Sequence, residues 1–256
     1  MTRVISLCNN KGGVGKTTSA VNLPVFLAAM GKKVLLVDFD PQANATLSLG
    51  VNPKKVPLSV YQALVGQTSP QSVIRTTPFF DYEMMPSSRD LAGAQMELAN
   101  QEGWQSRLNN ILEEPKKEYD YVFIDSPPSL GLLTMNIIVA SDEVLIPVQS
   151  EYLALEGLEQ LLDTIELVKQ RSGKELDFIG AFLTMYDRRK RISKQAAKRI
   201  RRNFPDYVFD AIIPQAVSLA EAPKFRKTIL QYDPHSKATK SYRELAEEID
   251  DIDNSK

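Results

Sequence analysis

The chain has 256 residues, with 31 Lys and Arg against 32 Asp and Glu, one His and one Cys. At 43% hydrophobic and 25% charged, it has the composition of a globular protein that can build a sizeable core, and at roughly 150 residues per domain it reads as one α/β domain over 1–256. A single Cys excludes a disulfide framework, a Cys-based zinc site and an iron–sulfur cluster held within one chain. No apolar run approaches the roughly 18 residues of a membrane span, and Met1-Thr2-Arg3 leads into a strand rather than a signal peptide, so the expected setting is the cytoplasm.

Short runs rich in Val, Ile and Phe alternate along the chain with helical patterns. Residues 4–8 read as a strand, 16–30 as a helix and 34–37 as a strand. The stretch 67–102 is the least readable, with a further strand expected at 82–85. Beyond it come a helix at 103–113, a strand at 121–124, a helix at 130–140, a strand at 144–148 and a helix at 153–170. A strand at 178–183, a helix at 193–203, a strand at 208–213 and a helix at 240–252 complete the series. Several strands are nearly continuous in apolar residues, as parallel strands covered on both faces are. The expected fold is a doubly wound, mostly parallel α/β sheet with helices on both faces.

The first strand ends in Asn9-Asn10-Lys11-Gly12-Gly13-Val14-Gly15-Lys16-Thr17-Thr18, directly before a helix. Glycines let the backbone wrap with its N–H groups pointing inward, and the helix N-terminus adds positive potential, which together make a phosphate cradle. Lys16 is spaced to reach the β- and γ-phosphates of a nucleotide and the Thr17 hydroxyl to coordinate Mg²⁺. A glycine-rich turn would account for Gly-Lys-Thr alone, but not for the whole string between a strand and a helix. Asn10 stands where the usual G-x-x-x-x-G-K-[ST] loop has its first glycine, and Lys11 is an additional lysine. Such a lysine invites a role toward a second nucleotide across a dimer.

Three carboxylates end strands: Asp38 and Asp40 after 34–37, and Asp125 after Tyr121-Val122-Phe123-Ile124. Ligands of open α/β sheets bind at the carboxyl ends of strands, which puts all three near the phosphate loop. Four apolar residues followed by an acid is the Walker B pattern, in which Asp125 holds Mg²⁺ through water. Alternate residues of extended chain point to opposite sides, so Asp38 and Asp40 need not share a role. The only histidine, His235, lies in a turn-like Asp-Pro-His-Ser sequence, and His-based chemistry is not expected.

The loop resembles that of the deviant Walker ATPases, K-G-G-x-G-K-[ST]. Asp38-x-Asp40-Pro41-Gln42-x-Asn44-Ala45-Thr46, Asp125-Ser126-Pro127-Pro128, Ile146-Pro147-Val148-Gln149, Ala154-Leu155-Glu156-Gly157, Leu183-Thr184-Met185-Tyr186-Asp187 and Glu221-Ala222-Pro223 extend the likeness over nearly the whole chain, toward the ParA/Soj partition ATPases. The resemblance implies ATP and Mg²⁺ as cofactors. It puts ATP against Lys11, Gly12, Gly13, Val14, Gly15, Lys16, Thr17, Thr18, Met185 and Pro214, and Mg²⁺ near Thr17, Asp38 and Asp125. It gives catalysis to Lys11, acting on the partner's nucleotide, to Lys16 and to Asp40, which positions the attacking water. It further implies a homodimer enclosing two ATP molecules, nonspecific binding of double-stranded DNA, nucleoid association in the ATP state and a ParB-like activator. With the loop opening at Asn9, the short form without an N-terminal helix-turn-helix domain is expected. The acidic stretch 244–253 speaks against a MinD-like membrane helix.

Residues 188–202 hold nine cations and no acid. Ser193 is expected to cap a helix with Lys194, Lys198, Arg201 and Arg202 on one face and Ala196, Ala197, Ile200 and Phe204 toward the core. A charge run is usually a solvated helix face, but nine like charges together favour phosphate binding at about two to one. Relatives of this type carry arginines ahead of Glu-Ala-Pro; Gln215 and Ser218 stand there instead, followed by Lys224, Arg226 and Lys227. Duplex binding is therefore expected at Arg188, Arg189, Arg191, Lys194, Lys198, Arg201 and Arg202, with Lys224, Arg226 and Lys227. The alternatives are weakened DNA binding with a protein assembly as cargo, and a nucleotide-gated scaffold with negligible turnover.

Overall fold

The computed structural model describes residues 2–99, 101–129, 131–151, 154–172 and 176–254. Their strands are β1 (Arg3–Leu7), β2 (Val34–Asp38), β3 (Arg75–Thr76), β4 (Tyr82–Met85), β5 (Tyr121–Asp125), β6 (Glu143–Gln149), β7 (Asp177–Tyr186) and β8 (Val208–Pro214). They form one sheet in the order β3-β4-β2-β5-β1-β6-β7-β8, parallel throughout except for β3 against β4. The helices are α1 (Lys16–Ala29), α2 (Asn44–Ser48), α3 (Val60–Leu64), α4 (Pro70–Val73), α5 (Leu91–Leu98), α6 (Arg107–Leu112) and α7 (Leu132–Ala140). After them come α8 (Ala154–Ser172), α9 (Arg191–Asn203), α10 (Val217–Glu221), α11 (Ile229–Tyr232) and α12 (Lys237–Asn254). The expected helix starts at Leu130 and Leu153 lie outside the described residues.

Alternation along the strands divides the core in two. On β5, Val122 and Ile124 point to one face, where Val60, Leu91, Leu108, Ile137, Leu161 and Ile200 pack. Tyr121 and Phe123 point to the other, against Leu23 and Leu27 of α1 and Tyr242, Leu245 and Ile249 of α12. All of these are buried, and each large side chain removed from water contributes about 1.5–3 kcal/mol.

Helix α1 carries Pro24 in its interior, which leaves the Ala20 carbonyl without its helical N–H donor. The buried Tyr82 hydroxyl lies 3.4 Å from Ala20 O and 3.3 Å from Val21 O and takes over that role. The phosphate-loop helix is thereby tied to β4.

Three expectations about helices change. The segment 103–113 is a 3-10 turn over Trp104–Ser106 followed by α6, because Gly103 enters it in the left-handed region at φ 69°. Helix α9 starts at Arg191, and Ser193 is not its cap. Asp187 turns the chain earlier: its carboxylate accepts the Arg189 N–H at 3.0 Å and its carbonyl the Lys190 N–H at 3.0 Å. Helix α12 begins at Lys237, where the Ser236 hydroxyl accepts the Thr239 N–H at 3.1 Å.

Candidate functional site

The loop between β1 and α1 turns on two left-handed glycines, Gly13 at φ 75° and Gly15 at φ 95°. Other L-residues reach that region only with strain. Side chains from neighbouring strands pin the loop. Thr184 donates to Val14 O at 2.8 Å, the Asn9 side chain donates to Pro147 O at 2.8 Å, and Asn9 Oδ1 accepts the Lys11 N–H at 3.0 Å. Two joined cavities open on it. One, about 390 Å³, is lined by Gly12, Gly13, Lys16, Thr17, Asp40 and Pro128. The other, about 350 Å³, is largely apolar and lies among Met185, Ile213, Pro214, Val217, Leu219 and Tyr242. Gly15, Thr18 and Met185 belong to both walls.

Lys16 is buried and donates to Lys11 O at 3.1 Å. Burial pulls its pKa down, while the charges of Asp125, Cys8 and Asp40 oppose that shift. The Lys11 ammonium instead reaches outward to Glu151 at 3.0 Å.

Asp38 and Asp125 are register partners at the ends of β2 and β5, and both are fully buried. Their surroundings differ. Asp38 Oδ2 accepts the N–H and the hydroxyl of Thr46, each at 2.7 Å, and Oδ1 accepts the Asp40 N–H at 3.2 Å. Even so, burial raises Asp38 from 3.8 to about 6. Neither oxygen of Asp125 has a hydrogen-bond partner. Burial and the charge of Asp38 push its pKa well up, opposed by the nearby Thr17 hydroxyl and the charge of Lys16. A buried carboxylate with open acceptors beside a hydroxyl and a phosphate loop fits a hydrated divalent cation. Among the described residues no three acids, histidines or cysteines cluster as a metal cage. Mg²⁺ at this site would have the Thr17 hydroxyl and the Asp125 carboxylate as its nearest protein groups. When bound, it neutralises phosphate charge. Asp40, at the cavity wall, accepts the Gln42 N–H at 2.9 Å.

The structure thus brings Lys16, Thr17, Thr18, Asp40, Met185 and Pro214 to one cleft, with Asp125 buried behind Lys16 and Thr17. Asp38 sits beneath it with its acceptors occupied. Sequence reasoning missed Tyr242, Leu219 and Thr184 in the cleft. The available signal was their position on or beyond the carboxyl ends of β7 and β8, or, for Tyr242, on a helix with a strong apolar stripe.

The basic residues divide. On α9, Lys194, Lys198 and Arg202 are exposed, and Ala196, Ala197, Ile200 and Phe204 are buried as expected. Arg188 and Arg191 are exposed as well. Arg189 clasps Asp187 with two bonds of 3.0 Å, holding that carboxyl down at about 2. Arg201 departs from the expected free face: it donates to the carbonyls of Val208 at 3.2 Å and Phe209 at 2.9 Å and pairs with Asp210 at 3.2 Å. Lys224, Arg226 and Lys227 are exposed, but on the other face of the sheet from α9. Phe225 stacks on Tyr232 of α11, and Arg226 lies beside Gly50 after α2.

A glycine loop from a parallel strand into a helix with a buried lysine, facing strand-end carboxylates, defines a P-loop nucleotide-binding protein. The AAA domain family matches residues 2–178. The chain is 45% identical over 249 residues to the sporulation initiation inhibitor protein Soj of Bacillus subtilis, spanning 97% of this chain and 98% of that one. It is 45% identical over 247 residues to the chromosome partitioning protein ParA of Myxococcus xanthus, spanning 96% and 87%. In structure it resembles cobyrinic acid a,c-diamide synthase from Mycobacterium smegmatis with bound ADP and magnesium, with a TM-score of 0.86, 35% identity and coverage of 96% and 93%. The chain belongs to the Soj/ParA family of chromosome-partitioning ATPases. No helix among the described residues is long and apolar enough to cross a membrane.

Proposed function

We propose that the chain is an ATP-driven partition switch, one P-loop ATPase unit over 1–256. It binds ATP with Mg²⁺, dimerises around the nucleotide, holds DNA without regard to sequence and is released when a ParB-like activator stimulates hydrolysis. The observation that carries this reading is Asp125, buried with both oxygens open beside Lys16 and Thr17 at the phosphate loop. In this reading Lys16 and the loop amides hold the phosphates, Thr17 and Asp125 hold Mg²⁺, and Asp40 orients the attacking water. Asp38, its acceptors taken by Thr46 and Asp40, anchors the loop that carries Asp40. Lys11 reaches the partner's nucleotide, and the cations of α9 meet the DNA backbone.

The test is DNA binding by the purified protein with ATP, with ADP and without Mg²⁺, beside Lys16→Ala. Binding is expected only with ATP and Mg²⁺ and is lost in Lys16→Ala, which lacks the charge facing the phosphates. Binding by Lys16→Ala with unchanged nucleotide dependence overturns the site. Gln215 and Ser218, where arginines are expected, favour a second reading: the same switch carrying a protein assembly. An ATP dimer that ignores DNA is its signature, and an ATP dimer without turnover is that of a scaffold.

A further inference from the structure

The turn that carries Asp40 is held from below by two buried hydroxyl residues that face neither cavity. Thr46, on α2, gives both its N–H and its hydroxyl to Asp38 Oδ2 at 2.7 Å. The same hydroxyl oxygen accepts the Ser87 N–H at 2.8 Å. The Ser87 hydroxyl crosses to Asp40 O at 2.8 Å, joining the chain beyond β4 to the catalytic turn across 47 positions of sequence. Thr46 and Ser87 are both fully buried. Between Asp40 and Thr46 the chain passes through Ala43 at φ 53°, a left-handed conformation that is uncommon for alanine. A residue held there persists only where its surroundings over-determine the backbone.

We propose that Ser87 and Thr46 are positioning residues for hydrolysis: they fix the strained 38–46 turn so that the Asp40 carboxylate faces the phosphate cavity. The inference rests on the reading of Asp40 as the group that orients the attacking water. Position matters here because displacement of a catalytic group by about 1 Å is enough to cost up to ~100-fold in rate. The clamp continues outward. The Ser88 hydroxyl lies 3.0 Å from the Ser59 hydroxyl at the start of α3, and Pro86 O accepts the Val60 N–H at 2.9 Å, so Ser87 is itself held on both sides.

Ser87→Ala isolates the effect, because Asp40 O keeps the Ala43 N–H at 2.9 Å and is not left bare. The expected result is a kcat about tenfold lower, with KM for ATP and affinity for a fluorescent ATP analogue within about twofold of the parent. Thermal unfolding should be near the parent's, and with plain ATP the nucleotide-bound form should persist longer. Thr46→Val removes both hydroxyl contacts and should lower kcat further, while Thr46→Ser restores it. Unchanged kcat in both Ser87→Ala and Thr46→Val overturns the proposal. So does a fall in kcat that is matched by lost analogue affinity and lost stability and is not rescued by Thr46→Ser, since that is what a merely structural role predicts. Asp40→Ala separates the two levels: parental turnover there removes the reading of Asp40 itself, whatever Ser87→Ala does.

Discussion

Burial raises the Asp125 carboxyl well above its ordinary range, and the charge of Asp38 one strand away raises it further. A carboxyl whose folded pKa exceeds its unfolded one binds protons more tightly in the folded state. Its contribution to stability is therefore best at low pH and declines as pH rises to the folded value. For Asp38 that decline runs from 3.8 to about 6; at neutral pH both acids work against the fold until a cation arrives. Asp125→Asn keeps the shape and removes the charge. The apo protein should melt higher at pH 7, by about 2–4 °C, while the rise in melting temperature on adding Mg²⁺ and nucleotide shrinks sharply. A lower apo melting point with an intact Mg²⁺-dependent rise would place the cation elsewhere. At this scale the sequence carried much of the site, since Gly-Lys-Thr spacing and an acid after four apolar residues are local patterns. It did not carry Ser87 or Thr46 as clamps, because a hydrogen bond spanning 41 positions leaves no period in the chain.

Among the elements, the long central strands were legible because their apolar residues run almost without interruption, as burial on both faces demands. The short helices α2, α3 and α4 were not. Each is four or five residues long, too short to hold on propensity alone. Helix α3 stands on a Ser59–Gln62 capping box and α4 on the Ser69 hydroxyl, and both depend on packing against the sheet. On α9 the sequence read the buried face correctly but not Arg201, whose partners are carbonyls of β8. This decides which substitutions test DNA binding cleanly. Lys198→Glu with Arg202→Glu alters exposed cations and leaves the Arg201 tether alone. DNA affinity should fall at least tenfold for all sequences alike, and the slope of log affinity against log salt should flatten by about two per protomer, with the ATP dimer intact. Arg226→Glu with Lys227→Glu tests the opposite face of the sheet separately. Unchanged DNA affinity in both double variants removes the basic surfaces as the DNA site and gives these cations to a protein partner.

The largest change asked of the whole molecule falls on Lys11. Its ammonium sits 3.0 Å from Glu151, with side chains 44% and 52% exposed. An ion pair this open contributes about 0–1 kcal/mol, so in the proposed dimer a partner's triphosphate, with several charges at a closed interface, would displace it. The buried Lys16 stays with its own loop, held by Lys11 O at 3.1 Å. The two lysines therefore separate in experiment. Lys11→Ala should keep ATP affinity within about twofold and lose the dimer formed with a slowly hydrolysed analogue, because it removes the ammonium proposed to cross the interface and an exposed ion pair with Glu151 while the Lys11 carbonyl that holds Lys16 stays. Glu151→Gln keeps the side-chain length and removes the competing charge. Its dimer should form at a protein concentration up to about thirtyfold lower, because two such pairs, one per protomer and each of up to ~1 kcal/mol, no longer have to break. DNA binding should follow the dimer in both variants, since two copies of α9 on one body raise each other's effective concentration on the duplex. Sedimentation with the analogue, with and without DNA, reads all of this at once. A Lys11→Ala dimer of parental strength, or a Glu151→Gln dimer that needs more protein than the parent, would mean that Lys11 serves its own nucleotide and that Glu151 supports assembly instead of restraining it.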